Sequence, residues 1–167
     1  MSGKVVLTVG AVLRGDDAVG PLLAKMLEDD PIEGWDVLDG GQMPEDYLSV
    51  VRRKGPDVLV MVDAAAMGLA AGSLRVLTED DVARDFMMTT HSLPLSFLLS
   101  ELRSCCKEIV FIGIQPAQTE FFGSMTPAVV EAVEEVYGRL ARGGDFADID
   151  SRRRASPGSS WTGMALR

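Results

Sequence analysis

The sequence predicts an α/β fold, a three-layer αβα sandwich with a twisted, mostly parallel central sheet of five strands. Short apolar runs rich in Val, Ile and Leu alternate along the chain with helical patterns. Three of these runs are apolar on both faces, which is required of strands that helices cover on both sides. With 167 residues, of which 47% are hydrophobic, the chain is long enough for one domain with a core and is not globally disordered.

The strands are expected at residues 5–9, 35–38, 58–62, 74–77 and 109–114, and the helices at 17–29, 44–54, 79–86, 94–106 and 126–142. Two of the helices carry start signals. Thr78-x-x-Asp81 has the spacing of a capping box, and Thr126-Pro127 places proline at the first helical position. Gly143-Gly144 is expected to end the last helix.

The charge of the chain narrows the classes of partner. Sixteen basic residues against 25 acidic ones give a net charge of −9. This sign disfavours nucleic acid and anionic membranes as partners, and it suits a cationic partner or a metal ion. No run approaches the ~20 apolar residues that cross a bilayer. The first predicted strand is followed by Arg14-Gly15-Asp16-Asp17 rather than by a small-residue cleavage site, so we expect a cytoplasmic protein.

The composition changes after Gly144. Residues 151–167 contain four arginines and no acidic residue, together with Ser, Gly and Pro. Such a segment has little apolar surface to bury and tends to remain solvated. We therefore expect a folded domain over residues 1–144 and a flexible basic tail over residues 145–167.

Some conspicuous side chains have a simple structural interpretation. Cys105 and Cys106 are adjacent, which makes a structural disulfide or a cysteine-built zinc site a poor hypothesis, and we expect them to be packing residues in a helical stretch. The pairs Met87-Met88 and Phe121-Phe122 are expected in the core or in a groove. If they are exposed, they would form a protein-docking patch.

Carboxylates follow three of the predicted strands. Ligands of open α/β sheets bind outside the carboxyl ends of the strands, where Asp17, Asp39 and Asp63 are expected. Gly10 and Gly15 have the spacing of a phosphate-binding loop, but two aspartates stand where that loop needs Lys and Ser or Thr. This exchange favours a cation site. Because Asp39 occupies the position of a ribose-binding acid, nucleotide binding stays open as a weaker alternative.

The most specific hypothesis about the site combines three residues that are far apart in the sequence. Of the two acids Asp16 and Asp17, one is explained as a cap and dipole partner of the following helix, and the other is left without a structural role. His91 is the only histidine and lies in a polar break between helical stretches. Asp17, Asp63 and His91 would together offer two oxygens and one nitrogen with open coordination positions, which suits nickel, zinc, iron or manganese. Their wide separation makes this a hypothesis about geometry rather than a motif.

Several blocks of residues, taken as an ordered set, resemble a known family. They are Gly15-Asp16-Asp17-x-x-Gly20-Pro21 after Val9-Gly10, Asp39-Gly40-Gly41 with Pro44-Glu45, Val62-Asp63-Ala64 with Met67-Gly68, Phe86-Met87-Met88-Thr89-Thr90-His91, and Ile112-Gly113-Ile114-Gln115-Pro116. Over roughly residues 4–142 the chain resembles the [NiFe]-hydrogenase maturation endopeptidases, most closely the type serving hydrogenase 3 of formate hydrogenlyase. The resemblance implies the same three-layer α/β fold.

The resemblance also implies an activity and a site. It implies an endopeptidase that removes the C-terminal extension of the hydrogenase large-subunit precursor after nickel insertion, with nickel arriving in the substrate rather than as a resident cofactor. Asp17, Asp63 and His91 correspond to the family's metal-contacting residues, and we treat all three as catalytic and metal-binding candidates. One departure is Ala11, where the family usually has Asn; it puts a substrate or supporting hydrogen bond in doubt.

Several alternatives stay open at this point. Hydrolysis would use either a metal-polarised carbonyl or water, or an aspartate as general base, as in aspartyl proteases. A nickel-binding chaperone without catalysis would use the same three ligands, and a nucleotide-binding domain is the weaker third reading. For the favoured peptidase we expect a monomer whose partner is the large-subunit precursor, with no binding to nucleic acid or membrane.

Overall fold

The computed structural model describes residues 3–83 and 94–150. Five strands form one sheet: β1 (Lys4–Thr8), β2 (Trp35–Asp39), β3 (Val58–Ala64), β4 (Leu74–Leu77) and β5 (Glu108–Ile114). Their order is β2-β1-β3-β5-β4, with β4 antiparallel to β5 and the other pairs parallel. The predicted mostly parallel sheet of five strands is confirmed.

The helices are α1 (Val19–Asp29), α2 (Leu48–Lys54), α3 (Glu79–Ala83), α4 (Leu95–Arg103) and α5 (Pro127–Ala141). Two helices predicted as continuous begin instead as 3-10 turns, Gly15–Ala18 before α1 and Pro44–Tyr47 before α2. In the first turn, the Asp17 N–H donates to the carbonyl oxygen of Arg14, three residues back, which is the tighter 3-10 pattern. Of the helix predicted at 79–86, residues 84–86 lie outside the described residues.

Helix α4 ends earlier than predicted. The Ser104 hydroxyl donates to the Glu101 carbonyl oxygen, and the Cys105 N–H donates to the Leu102 carbonyl oxygen, so the chain tightens and leaves the helix at Arg103. The two cysteines therefore lie in the following turn rather than in a helix. They are free thiols packed against the core, as expected, and burial, reinforced by Cys105, raises the pKa of the Cys106 thiol to about 12.

Two hydrophobic cores lie on opposite faces of the sheet. Side chains of β3 alternate between them: Val60 and Val62 face one core, whereas Leu59 and Met61 face the other. Helices α1 and α5 cover the first face, and α2, α3 and α4 contribute buried side chains to the second. The predicted three-layer sandwich is thus confirmed, because the central strands are buried on both sides.

The predicted helix signals are confirmed in detail. The Thr78 hydroxyl accepts a hydrogen bond from the Asp81 N–H at 3.1 Å, and the Asp81 carboxylate accepts one from the Thr78 N–H at 2.9 Å. This is the reciprocal pairing of a capping box. Pro127 is the first residue of α5, and Gly143 and Gly144, both with positive φ, follow its end.

The described chain continues in contact with the domain beyond residue 144. Residues Ala147–Ile149 form a 3-10 turn, and Phe146, only 4% exposed, packs into the core shared by α1 and α5. Arg139 of α5 donates to both carboxylate oxygens of Asp148 and lies 5.8 Å from the centre of the Phe146 ring. Residues 145–150, expected to be the start of a flexible tail, therefore pack on α5. Residues 151–167 lie outside the described part of the chain.

Within the described ranges, no helix is both long enough and apolar enough to pass through a bilayer.

Candidate active site at the carboxyl edge of the sheet

Two buried carboxylates lie at the carboxyl edge of the sheet. Asp63 is the sixth residue of β3 and is 2% exposed. Asp17 lies in the 3-10 turn Gly15–Ala18 that follows β1 and is 6% exposed. That turn contacts β3 directly. The structure thus places two of the three predicted site residues on segments that touch each other, beside the ends of neighbouring parallel strands.

Glycines allow the first loop to fold back onto the strand end. A Cβ atom at Gly10 would lie 2.1 Å from the carbonyl oxygen of Asp17, and one at Gly20 would lie 2.1 Å from that of Val9. Real Cβ atoms do not approach backbone oxygens so closely, so a side chain at either position would push the turn away from β1. The Ala11 N–H donates to the Asp17 carbonyl oxygen at 3.0 Å and fixes the returned chain.

Most backbone N–H groups of the segment from Gly10 to Asp17 are already used within the protein. Those of Gly10, Ala11, Arg14, Asp16 and Asp17 all donate to carbonyl oxygens of the chain. A phosphate-binding loop depends on N–H groups that point at the ligand. The loop between Gly10 and Gly15 is therefore not built as a phosphate cradle. The nucleotide-binding alternative loses its main structural support.

Asp16 is an internal anchor. Its carboxylate is fully buried and accepts four hydrogen bonds, from the N–H groups of Ala117 and Gln118 and from the N–H and hydroxyl of Thr126, at 2.6 to 3.1 Å. Burial by itself would raise the pKa of this carboxyl, but the hydrogen bonds from Thr126, Ala117 and Gln118 outweigh it and hold the pKa below its ordinary value.

This arrangement corrects the expected role of the acid pair. Asp16 does not cap the helix that follows it; it binds the segment before α5, about 100 residues away in sequence. The Thr126 hydroxyl donates to Asp16, and no side-chain hydrogen bond caps α5 at this residue. Asp16 thus ties the turn that carries Asp17 to the connection between β5 and α5. The adjacent Gly-Asp-Asp residues carry no signal for such a distant partner.

Other polar side chains at this edge have structural partners. The Thr8 hydroxyl donates to the carboxylate of Asp39, which is exposed. The Gln115 side-chain oxygen accepts hydrogen bonds from the Met67 and Leu69 N–H groups at 2.6 and 3.3 Å, so Gln115 holds the loop that follows β3. At Asp63, one carboxylate oxygen accepts a hydrogen bond from the N–H of the next residue, Ala64, at 2.8 Å.

The predicted third ligand belongs to a part of the chain that the structure does not describe. His91 lies among residues 84–93, outside the described residues. Within residues 3–83 and 94–150, no group of three or more His, Cys, Asp or Glu side chains is arranged to hold a metal ion. The grouping of Asp17 and Asp63 with His91 stays a prediction, and the described residues supply two carboxylates of that set.

Comparisons with known proteins identify the family. Residues 18–142 match the family described as hydrogenase maturation protease, HycI. The chain is 44% identical over 136 residues to the hydrogenase 3 maturation protease of Escherichia coli K12, covering 81% of this chain and 87% of that protein.

Solved structures agree with this match. The crystal structure of a hydrogenase 3 maturation protease has a TM-score of 0.80 and 42% sequence identity, with 86% of this chain and 92% of that one covered. The solution structure of the endopeptidase HycI from Escherichia coli has a TM-score of 0.78 and 43% identity, covering 84% of this chain and 90% of that one. Fold, motif order and identity agree, and the chain belongs to the hydrogenase maturation protease family, whose members are endopeptidases.

Proposed function

We propose that this enzyme removes the C-terminal extension of a [NiFe]-hydrogenase large-subunit precursor after nickel insertion, and that the nickel bound in the precursor is its recognition element. The observation that carries the proposal is the placement of Asp17 and Asp63, two buried carboxylates, on touching segments at the carboxyl edge of the sheet. Two negative groups in a buried setting are stabilised by a cation, and the proposed metal would supply it.

The donor chemistry fits a metal that arrives with the substrate. Two carboxylate oxygens, with His91 as the third ligand implied by family resemblance, suit a borderline divalent ion and leave coordination positions for the precursor's own ligands. An ion held in this way would polarise a nearby carbonyl or water. The two carboxylates would orient the precursor and hold its scissile bond in place. In the alternative mechanism, one of the two aspartates would act as general base toward a water molecule, as in an aspartyl protease.

The same proposal covers the setting in which the enzyme works. We propose a cytoplasmic monomer whose partner is the large-subunit precursor, with binding neither to nucleic acid nor to membrane. The net charge of −9 supports the exclusion of polyanionic partners.

Ala11, which departs from the family's usual Asn, has a buried side chain and a backbone N–H that donates to the carbonyl oxygen of Asp17. We propose that this departure affects hydrogen bonding to substrate and leaves the ligands in place.

Intact-mass measurement on a purified large-subunit precursor, with and without nickel, tests the proposal. We expect nickel-dependent loss of a C-terminal peptide with the wild-type enzyme. Asp17→Asn and Asp63→Asn should each abolish the loss while leaving the circular dichroism spectrum unchanged, because each removes a charge at the edge and keeps the side-chain shape. Asp29→Asn is the matched control, since it changes an exposed carboxylate at the end of α1.

Two results would contradict the proposal. Processing at the wild-type rate by Asp17→Asn or Asp63→Asn would remove these residues from the catalytic site. A stable stoichiometric complex of the wild-type enzyme with nickel-loaded precursor, without any shortened product, would instead support the non-catalytic chaperone.

A further inference from the structure

Exposed large apolar side chains are concentrated at the carboxyl edge of the sheet. In the described ranges, six such residues are exposed: Val12, Leu13, Met43, Phe97, Phe121 and Phe122. All but Phe97, which lies on α4, occur in the loops that follow β1, β2 and β5. We call the five residues Val12, Leu13, Met43, Phe121 and Phe122 the edge patch. The pair Phe121-Phe122, expected to be a docking patch if exposed, is 64% and 82% exposed.

Contacts between the loops that follow β1 and β5 bring four residues of the edge patch together, Val12, Leu13, Phe121 and Phe122. The Phe122 N–H donates to the Leu13 carbonyl oxygen at 2.7 Å, and the two phenylalanine rings lie 6.2 Å apart. The Arg14 guanidinium lies 4.4 Å from the centre of the Phe121 ring. A groove of about 390 Å³ runs between these loops and is lined by residues 10–14, Gly41, Gln42 and Phe121.

The fold holds the edge patch in a fixed position relative to Asp17. The carboxylate of Asp16 accepts hydrogen bonds from Gln118 and Thr126, which lie on either side of the phenylalanine pair. Within this connection the Gln118 side-chain amide donates to the Ser124 carbonyl oxygen. The same turn carries Asp16 and Asp17, so the aromatic pair and the candidate catalytic carboxylate share one frame.

Phe122 is exposed although its backbone conformation is unfavourable for a phenylalanine. Its φ of 59° is the only positive value at a non-glycine residue among those that the structure describes. A phenylalanine disfavours this left-handed conformation, and at 82% exposure its ring recovers little by burial within the chain. A binding partner outside the chain that covers the ring would explain why a phenylalanine occupies this position.

We infer that the edge patch binds an extended apolar segment of the hydrogenase precursor that adjoins the scissile bond. The inference rests on the proposed function and names the chemistry of the substrate at that site. Residues 10–14 form the wall of the groove and lead directly into the turn that carries Asp17, so a chain presented to the carboxylates continues into the groove. Among the described residues, Arg14 is the one charged residue that lines the groove, and its guanidinium is stacked on Phe121. The complementary segment is therefore apolar, and aromatic side chains supply much of the binding at such surfaces.

Steady-state processing of nickel-loaded precursor by single variants tests the inference. Phe122→Asn removes the exposed ring, and asparagine tolerates the positive φ, so its melting temperature should not fall. We expect KM to rise at least tenfold while kcat changes less than twofold. Val12→Ser should act in the same direction without altering a special backbone conformation. Phe97→Ser, which removes an equally apolar exposed residue from α4, should leave both constants unchanged.

The outcomes separate this inference from the proposed function. Wild-type cleavage with unchanged KM in both Phe122→Asn and Val12→Ser overturns the inference and leaves the function standing. A loss in kcat alone, or an equal loss in Phe97→Ser, also overturns it. A wild-type enzyme that neither binds nor cleaves the precursor overturns both.

A photo-crosslinker at position 122 identifies the occupant. We expect p-benzoylphenylalanine at this position to attach to precursor residues within about ten residues of the cleaved bond, since ten extended residues span about 33 Å. Attachment to a second copy of this chain, to its own residues 151–167, or to a distant part of the precursor would overturn the inference.

Discussion

Asp16 and Asp17 are adjacent and of one residue type, yet the fold gives them different surroundings. Asp16 accepts four hydrogen bonds from a connection about 100 residues away, whereas Asp17 lies at the candidate site. A buried carboxylate with several N–H donors is stable in its charged form. Asp16 therefore fixes the turn, and Asp17 on the same turn is the candidate for contact with the substrate.

The hydrogen bonds to Asp16 predict a pH-dependent effect of Asp16→Asn. The pKa of Asp16 is lowered from 3.8 by folding, so its contribution to stability is present above pH ~5 and is lost as the pH falls through its folded-state pKa. Asn keeps the shape but has one acceptor oxygen, and we expect a loss of about 1–3 kcal/mol at pH 7. Urea unfolding at pH 7 and pH 3 measures it, and the difference between wild type and variant should shrink at pH 3.

Asp29→Asn provides the control for this measurement, because its exposed carboxylate forms a surface ion pair with Lys25 on α1. It should change the free energy of unfolding little at either pH. A difference for Asp16→Asn that stays constant between pH 7 and pH 3 would contradict the assignment of Asp16 as a charged anchor.

At the scale of elements, the sequence predicts those strands and helix ends that depend on local residue patterns. The strands at β1, β3 and β5 were predicted because they are apolar on both faces, and the capping box at Thr78 and the start of α5 at Pro127 are local signals. The 3-10 turns before α1 and α2 were not predicted, since helical periodicity does not distinguish a tight first turn from an α-helical one. The prediction placed the end of α4 too late, because no glycine or proline marks it. The helix ends where the Ser104 hydroxyl and the Cys105 thiol donate to carbonyl oxygens of its last turn.

The segment after α5 gives a prediction at this scale. Phe146 is 4% exposed in the core of α1 and α5, although composition alone suggested that the folded domain ends at Gly144. Phe146→Ala should lower the free energy of unfolding by about 3 kcal/mol, because it removes a buried ring and leaves a cavity. Chemical unfolding measures the loss. Phe97→Ala, at a half-exposed position, is the control and should cost much less. An unchanged stability for Phe146→Ala would show that this segment does not pack on α5 in solution.

At the scale of the whole molecule, the sheet topology accounts for the part of the site that could be predicted. Parallel strands end at one edge of a sheet, so Asp17 and Asp63 could be assigned to a common edge because each follows a predicted strand. The anchor at Asp16 and the edge patch could not, because both depend on how the connection before α5 returns to the first loop. Long-range contacts of that kind leave no periodic signal in the sequence.

The whole chain also differs in charge between its parts. Residues 151–167 contain four arginines and no acidic residue, so their net charge is +4. Because the whole chain has a net charge of −9, residues 1–150 have a net charge of −13. Both cores, the two candidate carboxylates, the edge patch and the family match over residues 18–142 all lie before residue 151. These described features of the domain and of its site thus lie outside the basic segment, and we expect the segment to act on the enzyme only through its charge.

A chain shortened to end at Asp150 tests this division. We expect its melting temperature to match that of the full chain, since the core around Phe146 and the contact of Asp150 with Val76 are retained. Processing of nickel-loaded precursor at 0.15 M salt should stay within twofold, because exposed charges farther apart than the Debye length of about 8 Å are largely screened. A chain ending at Gly144 serves as the contrast and should melt at a lower temperature. A tenfold loss of processing by the chain ending at Asp150, with its stability intact, would instead show that the arginine-rich segment contacts the precursor, and would place part of the binding surface outside the α/β domain.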